Sequence, residues 1–189
     1  MVWLPAGLFA QSTVWGIKLG FNGSGAQSDN VLLVRNMPKM GWQAGVHNSS
    51  TAAGWGYWLE AQVIAMGSVQ EFADEVQRNT IGYLQVPFAL SYRLAGKTTV
   101  NFYVGVYGGM RLWARRKTSK AGVGDFEANI RDNVAWFDYG LLAGVAVSLG
   151  RFTLDLRPTY GLIDINTNPQ LNVRARNVSA QLSLLYRVQ

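Results

Sequence analysis

Residues 83–92 read Tyr83-Leu84-Gln85-Val86-Pro87-Phe88-Ala89-Leu90-Ser91-Tyr92. Every second residue, from Leu84 through Val86, Phe88 and Leu90 to Tyr92, is large and apolar. The residues between them are mostly small or polar. Successive side chains of a strand point to opposite faces, so this is a ribbon with one face suited to hydrocarbon and one suited to a packed, hydrogen-bonded interior.

The same period of two recurs over 14–21, 40–47, 55–67, 100–113, 135–149, 151–162 and 177–188. With 82–93 that makes eight strands. The connections alternate in length: 22–39, 68–81, 114–134 and 163–176 are long and polar, whereas 48–54, 94–99 and Gly150 are short. Antiparallel barrels of the outer membrane have long loops on one side and tight turns on the other. The pattern predicts an all-β fold, an eight-stranded antiparallel up-and-down transmembrane β-barrel.

The period alone leaves open a soluble, lipocalin-like barrel with its greasy face inward. Three features favour lipid. The apolar face, which includes Ile17, Leu19, Val46, Leu59, Val104, Met110, Leu112, Leu141, Val145, Leu154, Leu156, Leu182 and Leu184, carries no charge and is too bulky for an eight-stranded interior. The opposite face is rich in glycine and alanine. Aromatics on the apolar face collect at the strand ends, Trp15, Trp55, Tyr57, Tyr92, Phe102, Phe152 and Tyr186 at one and Phe21, Trp42, Phe137, Tyr139 and Tyr160 at the other. Two such belts are expected at the two membrane interfaces. Pro158 falls on the lipid face in mid-strand, where it removes a ladder donor, and predicts a bulge.

Composition agrees. Of 189 residues 49% are apolar and only 15% charged, with 21 glycines and no cysteine. No apolar run reaches the roughly 18 residues of a membrane helix. Residues 1–10, including Val2-Trp3-Leu4-Pro5-Ala6-Gly7-Leu8-Phe9-Ala10, resemble the end of a signal peptide, leaving 11–189 as one barrel domain. The net charge of +6 invites a nucleic-acid reading. Yet Arg115, Arg116, Lys117 and Lys120 share their loop with Asp125, Glu127 and Asp132, a mixed-charge surface rather than a phosphate-tracking stripe. No nucleic-acid partner is expected.

Several stretches carry a family resemblance: Gly16-Ile17-Lys18-Leu19-Gly20-Phe21-Asn22, Gly41-Trp42-Gln43-Ala44-Gly45, Tyr83-Leu84-Gln85-Val86-Pro87-Phe88, Phe137-Asp138-Tyr139-Gly140-Leu141-Leu142-Ala143-Gly144, and Leu154-Asp155-Leu156-Arg157 with Tyr160-Gly161-Leu162. In this order and spacing they resemble the PorT-like outer-membrane β-barrel family of Bacteroidota. The resemblance implies an outer-membrane location in a Gram-negative cell and this fold, and places Glu60 at a glutamate usual in the family's third strand. It implies function only weakly, because most members have no assigned activity and a few serve protein secretion.

The inward face carries Lys18, Glu60, Arg111, Asp138, Asp155, Arg157 and Arg187. Unpaired charges in a narrow dry lumen are costly, so these residues are expected to form one linked network that plugs the barrel. The alternative is a narrow path for ions or small solutes, but wide aqueous pores take about sixteen strands. A Ser-His-Asp constellation would have to use His47, the single histidine, with a serine such as Ser49 or Ser50. Asp138 beside Asp155 is a conceivable carboxylate pair. A lipid-modifying enzyme is therefore a remote third reading, and no cofactor or metal is called for. Recognition falls to the loops, where Arg115, Arg116, Lys117 and Lys120 can meet lipopolysaccharide phosphates or a protein partner in an envelope complex. Val31-Leu32-Leu33-Val34 forms an apolar patch in the first loop.

Overall fold

The computed structural model describes residues 12–28, 35–52, 54–72, 75–96, 98–120, 122–167 and 174–188. The expected signal remnant and the apolar patch 31–34 lie outside them. The strands are β1 (Ser12–Ser28), β2 (Arg35–Ala52), β3 (Trp55–Glu71), β4 (Glu75–Leu94), β5 (Thr99–Lys120), β6 (Gly124–Asn129), β7 (Phe137–Leu149), β8 (Phe152–Gly161) and β9 (Ala175–Arg187). All pair antiparallel, in the order β4-β3-β2-β1-β9-β8-β7-β5, and β5 returns to β4. The result is a closed eight-stranded ring. The ninth strand, β6, pairs only with the upper part of β5, from Arg115 to Lys120, and adds no wall to the ring.

Four of the five segments expected as long or bulged differ in detail. Much of 22–39, 68–81 and 114–134 is strand, because β1 to β5 run on past the apolar zone. Stretches such as Glu75-Val76-Gln77-Arg78-Asn79-Thr80 carry almost no apolar signal, but their backbones still pair, and a polar ladder in water needs no greasy face. The predicted bulge at Pro158 is absent: β8 keeps one register from Leu142↔Thr159 to Val145↔Leu156, and Pro158 stays opposite Ala180. Bulges occur instead in β2 between Pro38 and Gln43, and in β5 opposite Gly82 and Tyr83. The second one leaves Leu112 unpaired and moves Trp113 to the outer face, where its ring covers Gly82 and stacks on Trp42 with centroids 6.5 Å apart.

At the other end the turns are tight. Gly54 and Gly150 sit at φ of 88° and 61°, the left-handed region that a two-residue hairpin demands and glycine adopts cheaply. Both described ends of the chain, Ser12 and Val188, lie at this turn end. The outer wall between the ends is apolar and open, with Leu19 at 62%, Val104 at 65% and Leu182 at 50% exposure. Its aromatics pair at the borders, Trp55 with Tyr92 and Phe152 with Tyr186 at the turn end, Trp136 with Phe137 and Phe137 with Tyr139 at the hairpin end.

Candidate functional site

The middle of the lumen is occupied by four charges. Asp155 and Arg157 are two apart on β8 and so point the same way, toward Lys18 on β1 and Glu60 on β3. All four side chains are fully buried. Arg157 grips Glu60 with two bonds of 2.8 Å, Nη1 to Oε2 and Nη2 to Oε1, and reaches Asp155 Oδ2 at 3.2 Å. Lys18 Nζ lies 2.9 Å from Glu60 and 3.4 Å from Asp155. Two cations and two carboxylates cancel, which is how ionised groups survive out of water. Trp58 Nε1 adds a bond of 2.7 Å to Glu60, and Tyr103 accepts from Arg157 Nε at 2.9 Å while donating to Asp155.

Glycine makes the room for this. The ring of Tyr103 lies where a Cβ on Gly144 would be, and Tyr107 does the same over Gly140. Large polar side chains from opposite walls can therefore meet inside the narrow lumen.

Toward the hairpin end the filling continues with Gln43 to Ser183 (2.6 Å), Gln62 to Gln85 (2.8 Å) and Thr159 with Ser179 (2.7 Å). Next comes Asp138, which accepts from Asn177 at 2.8 Å and Tyr107 at 3.3 Å. Asp138 and Asp155 thus occupy separate sets of partners and form no carboxylate pair. Above them the lumen turns apolar: Ile64, Met66, Ile81, Ala114, Ile130 and Ile165 form one buried cluster, with Val134 and Ile163 packed on it. The segment 130–134 crosses the mouth and is tied to 165–167 through Ala135 N to Ile165 O and Thr167 N to Asn133 O. Nothing in the charge pattern announced this cap. Its signal was a set of apolar residues, Ile130, Val134, Ile163 and Ile165, in connections that have no strand period.

Of the seven charges expected to form a single network, four do. Asp138 sits one layer away. Arg111 points to the hairpin end, where Nη1 donates to the carbonyls of Arg131 and Val134 and so holds the cap. Arg187 lies at the opposite mouth. Among the loop basics, Arg115 meets Glu127 at 3.3 Å and Lys117 meets Asp125 at 2.7 Å, both exposed. Hydrogen bonds from Lys117 and Ser119 hold the Asp125 carboxyl below its ordinary range. Arg116 Nε donates to Asn79 at 2.9 Å, and Lys120 stands opposite Gly124 at the base of the hairpin tip.

A serine, a histidine and a carboxylate do come together at the turn end. Ser49 Oγ is 3.0 Å from His47 Nε2, and His47 Nδ1 is 3.8 Å from Glu60 Oε1. The second gap is beyond hydrogen-bond reach. Moreover Glu60 already accepts four bonds, from Lys18, Trp58 and twice from Arg157, which fills the lone-pair positions of a carboxylate. It is not free to orient an imidazole.

The architecture has solved counterparts. The chain is similar to Ail, the attachment invasion locus protein of Yersinia pestis, at 14% identity and a TM-score of 0.54, covering 93% of this chain and 99% of that one. A second structure of Ail, in complex with the heparin analogue sucrose octasulfate, gives 15% identity and 0.51 over 93% and 99%. Neisserial surface protein A gives 12% identity and 0.53 over 93% and 98%. Such identities speak for the fold alone. No curated protein matches the sequence. Residues 9–166 match the family model described as outer membrane protein beta-barrel domain, and the chain, a barrel of the Gram-negative outer membrane, belongs to that family.

Proposed function

We propose that this outer-membrane barrel is a closed, non-catalytic scaffold that works by interaction at its extracellular hairpins, as a subunit of an envelope or secretion assembly of the PorT-like kind. The filled lumen carries this reading. A neutral, fully bonded charge quartet blocks the middle, and an apolar cluster seals the hairpin end. An ion would have to displace side chains at both levels, and breaking a buried ion pair is costly.

The hairpin wall supplies a surface for a partner. Arg78 and Lys117 are direct cross-strand neighbours on β4 and β5, and Arg115 lies one step below, just past the Trp42–Trp113 stack. Lys117 and Arg115 already meet Asp125 and Glu127, so the wall is a mixed-charge surface to which Arg78 adds positive charge. Lipopolysaccharide phosphates are anions that such a surface can meet in exchange for these carboxylates. The heparin analogue bound by Ail is a polysulfated sugar, a ligand of related chemistry on a similar barrel. Planar-bilayer recording tests the closed reading: the reconstituted protein is expected to be silent, and stepwise currents above background would establish the narrow pore instead.

A further inference from the structure

The turn end holds a second polar site that the plug does not use. A vestibule of about 30 Å³ opens below the His47–Trp58 pair, lined by Arg93, Arg187, Asn101, Ser91, Ser49 and Thr153 among others. That is room for two or three waters, or for the head of one small oxyanion. Its position follows from strand parity. Arg93 is the inward residue after Ala89 and Ser91 on β4, with Asn101 opposite it on β5, and Arg187 follows Ser183 and Leu185 on β9.

The charge here has one sign. Neither Asp nor Glu lines the vestibule. Among the described residues, Arg93, Arg151 and Arg187 lie in or beside the turns and strand ends at this side, with no acidic residue among them. The nearest carboxylates, Glu60 and Asp155, are saturated by Lys18 and Arg157. The Nε of Arg93 is buried and has no hydrogen-bond partner among the described residues. A guanidinium edge held out of water without an acceptor is a cost that an oxygen ligand would remove. Neutral donors complete the set: Ser91 is buried, and Asn101 is 6% exposed.

We propose that this vestibule binds a phosphate-type oxyanion from the periplasmic side, with Arg93 and Arg187 supplying charge and Asn101 and the hydroxyls supplying direction. In outer-membrane barrels the short turns face the periplasm. The phosphate can belong to a phospholipid headgroup of the inner leaflet or to a soluble periplasmic anion, and the chemistry of capture is the same.

The test uses the full chain folded in zwitterionic micelles and then in nanodiscs. Titration with inorganic phosphate is expected to shift the NMR signals of the Arg93 and Arg187 Nε–H groups and the Asn101 amide, with saturation. The variant R93Q/R187Q, checked for folding by its heat-modifiable migration, should weaken binding at least tenfold. Replacing neutral nanodisc lipid by phosphatidylglycerol should produce the same shifts if the headgroup is the ligand, and none if the ligand is a soluble anion. Linear drift of all arginines alike, Arg78 and Arg115 included, would mean ionic screening and overturn the proposal. So would phosphate shifts at the vestibule that persist in R93Q/R187Q.

Discussion

Arg157 and Glu60 meet edge to edge across the lumen, two parallel bonds of 2.8 Å between a guanidinium on β8 and a carboxylate on β3, 97 residues apart in sequence. The fork fixes the distance between opposite walls of the barrel. Removing one side leaves the other buried and uncompensated, so E60A should lose about 3–5 kcal/mol. In E60A the remaining Lys18 and Arg157 would share Asp155 alone. The double variant E60L/R157M keeps the Lys18–Asp155 contact of 3.4 Å and should cost less than the sum of its parts. Urea midpoints of the heat-modifiable form, for E60L, R157M and E60L/R157M, measure this coupling. Additive losses would mean that the pair is not an energetic unit.

The glycines opposite the lumen tyrosines predict a sharper contrast. A Cβ at Gly144 would overlap the Tyr103 hydroxyl and ring, and Tyr103 cannot retreat without leaving Arg157 and Asp155. Overpacking of this kind costs about 1–3 kcal/mol, and G144A should show it. At Gly108 the nearest side-chain atom to a new Cβ is a Phe137 ring carbon at 3.5 Å, an ordinary contact. G108A should therefore stay within about 0.5 kcal/mol of wild type. The same unfolding assay compares them directly, and equal effects would refute the argument from space.

These contacts show what a linear reading can and cannot reach. Strand parity placed Lys18, Glu60, Asp155 and Arg157 on one inner face, and the cost of an unpaired buried charge required partners for them. Parity also carries Trp58 inward with Glu60, but its bond to the Glu60 carboxylate depends on side-chain reach that a linear pattern does not carry. Distance along the barrel axis was hidden: Asp138, Arg111 and Arg187 share the inward face but lie at other heights, and height depends on the stagger between strands. Trp113 changes face because a bulge alters parity without changing residue types, and Leu112 beside it has no ladder partner. The cap has no linear signature, since Ile130 and Ile165 belong to no periodic segment, and only the closed ring shows that their connections fold over its mouth.

The cap yields its own prediction. Arg111 is the one described side chain that bonds both the Arg131 and Val134 carbonyls. Charge-assisted bonds of this kind are worth about 1.5–3 kcal/mol, tenfold or more in a local opening equilibrium. R111M should speed hydrogen exchange at Asn133, Val134 and Ala135, whose amides close the mouth, by at least that factor. Amides in β1 and β9 should keep their protection. The variant should still carry no current, because the charge quartet below the cap is untouched. A conducting R111M would place the seal in the cap alone.

The outer wall gives the decisive test of what surrounds the protein. Leu182 is half exposed in the middle of β9, flanked across the strands by Leu156, equally open, and by Phe21, more open still. In water such a surface would favour aggregation, whereas in hydrocarbon it is the matched face. An arginine at the bilayer midplane costs about 2–4 kcal/mol, and this falls toward zero near the interfaces. L182R should therefore reduce the folded, heat-modifiable fraction recovered from outer membranes severalfold. Val123 is as exposed as Leu182 but sits at the tip of the hairpin joining β5 and β6, beyond the aromatic border. V123R should assemble like wild type. Both side chains are exposed, so the medium distinguishes the two sites, and equal recovery of both variants would contradict a lipid-facing wall.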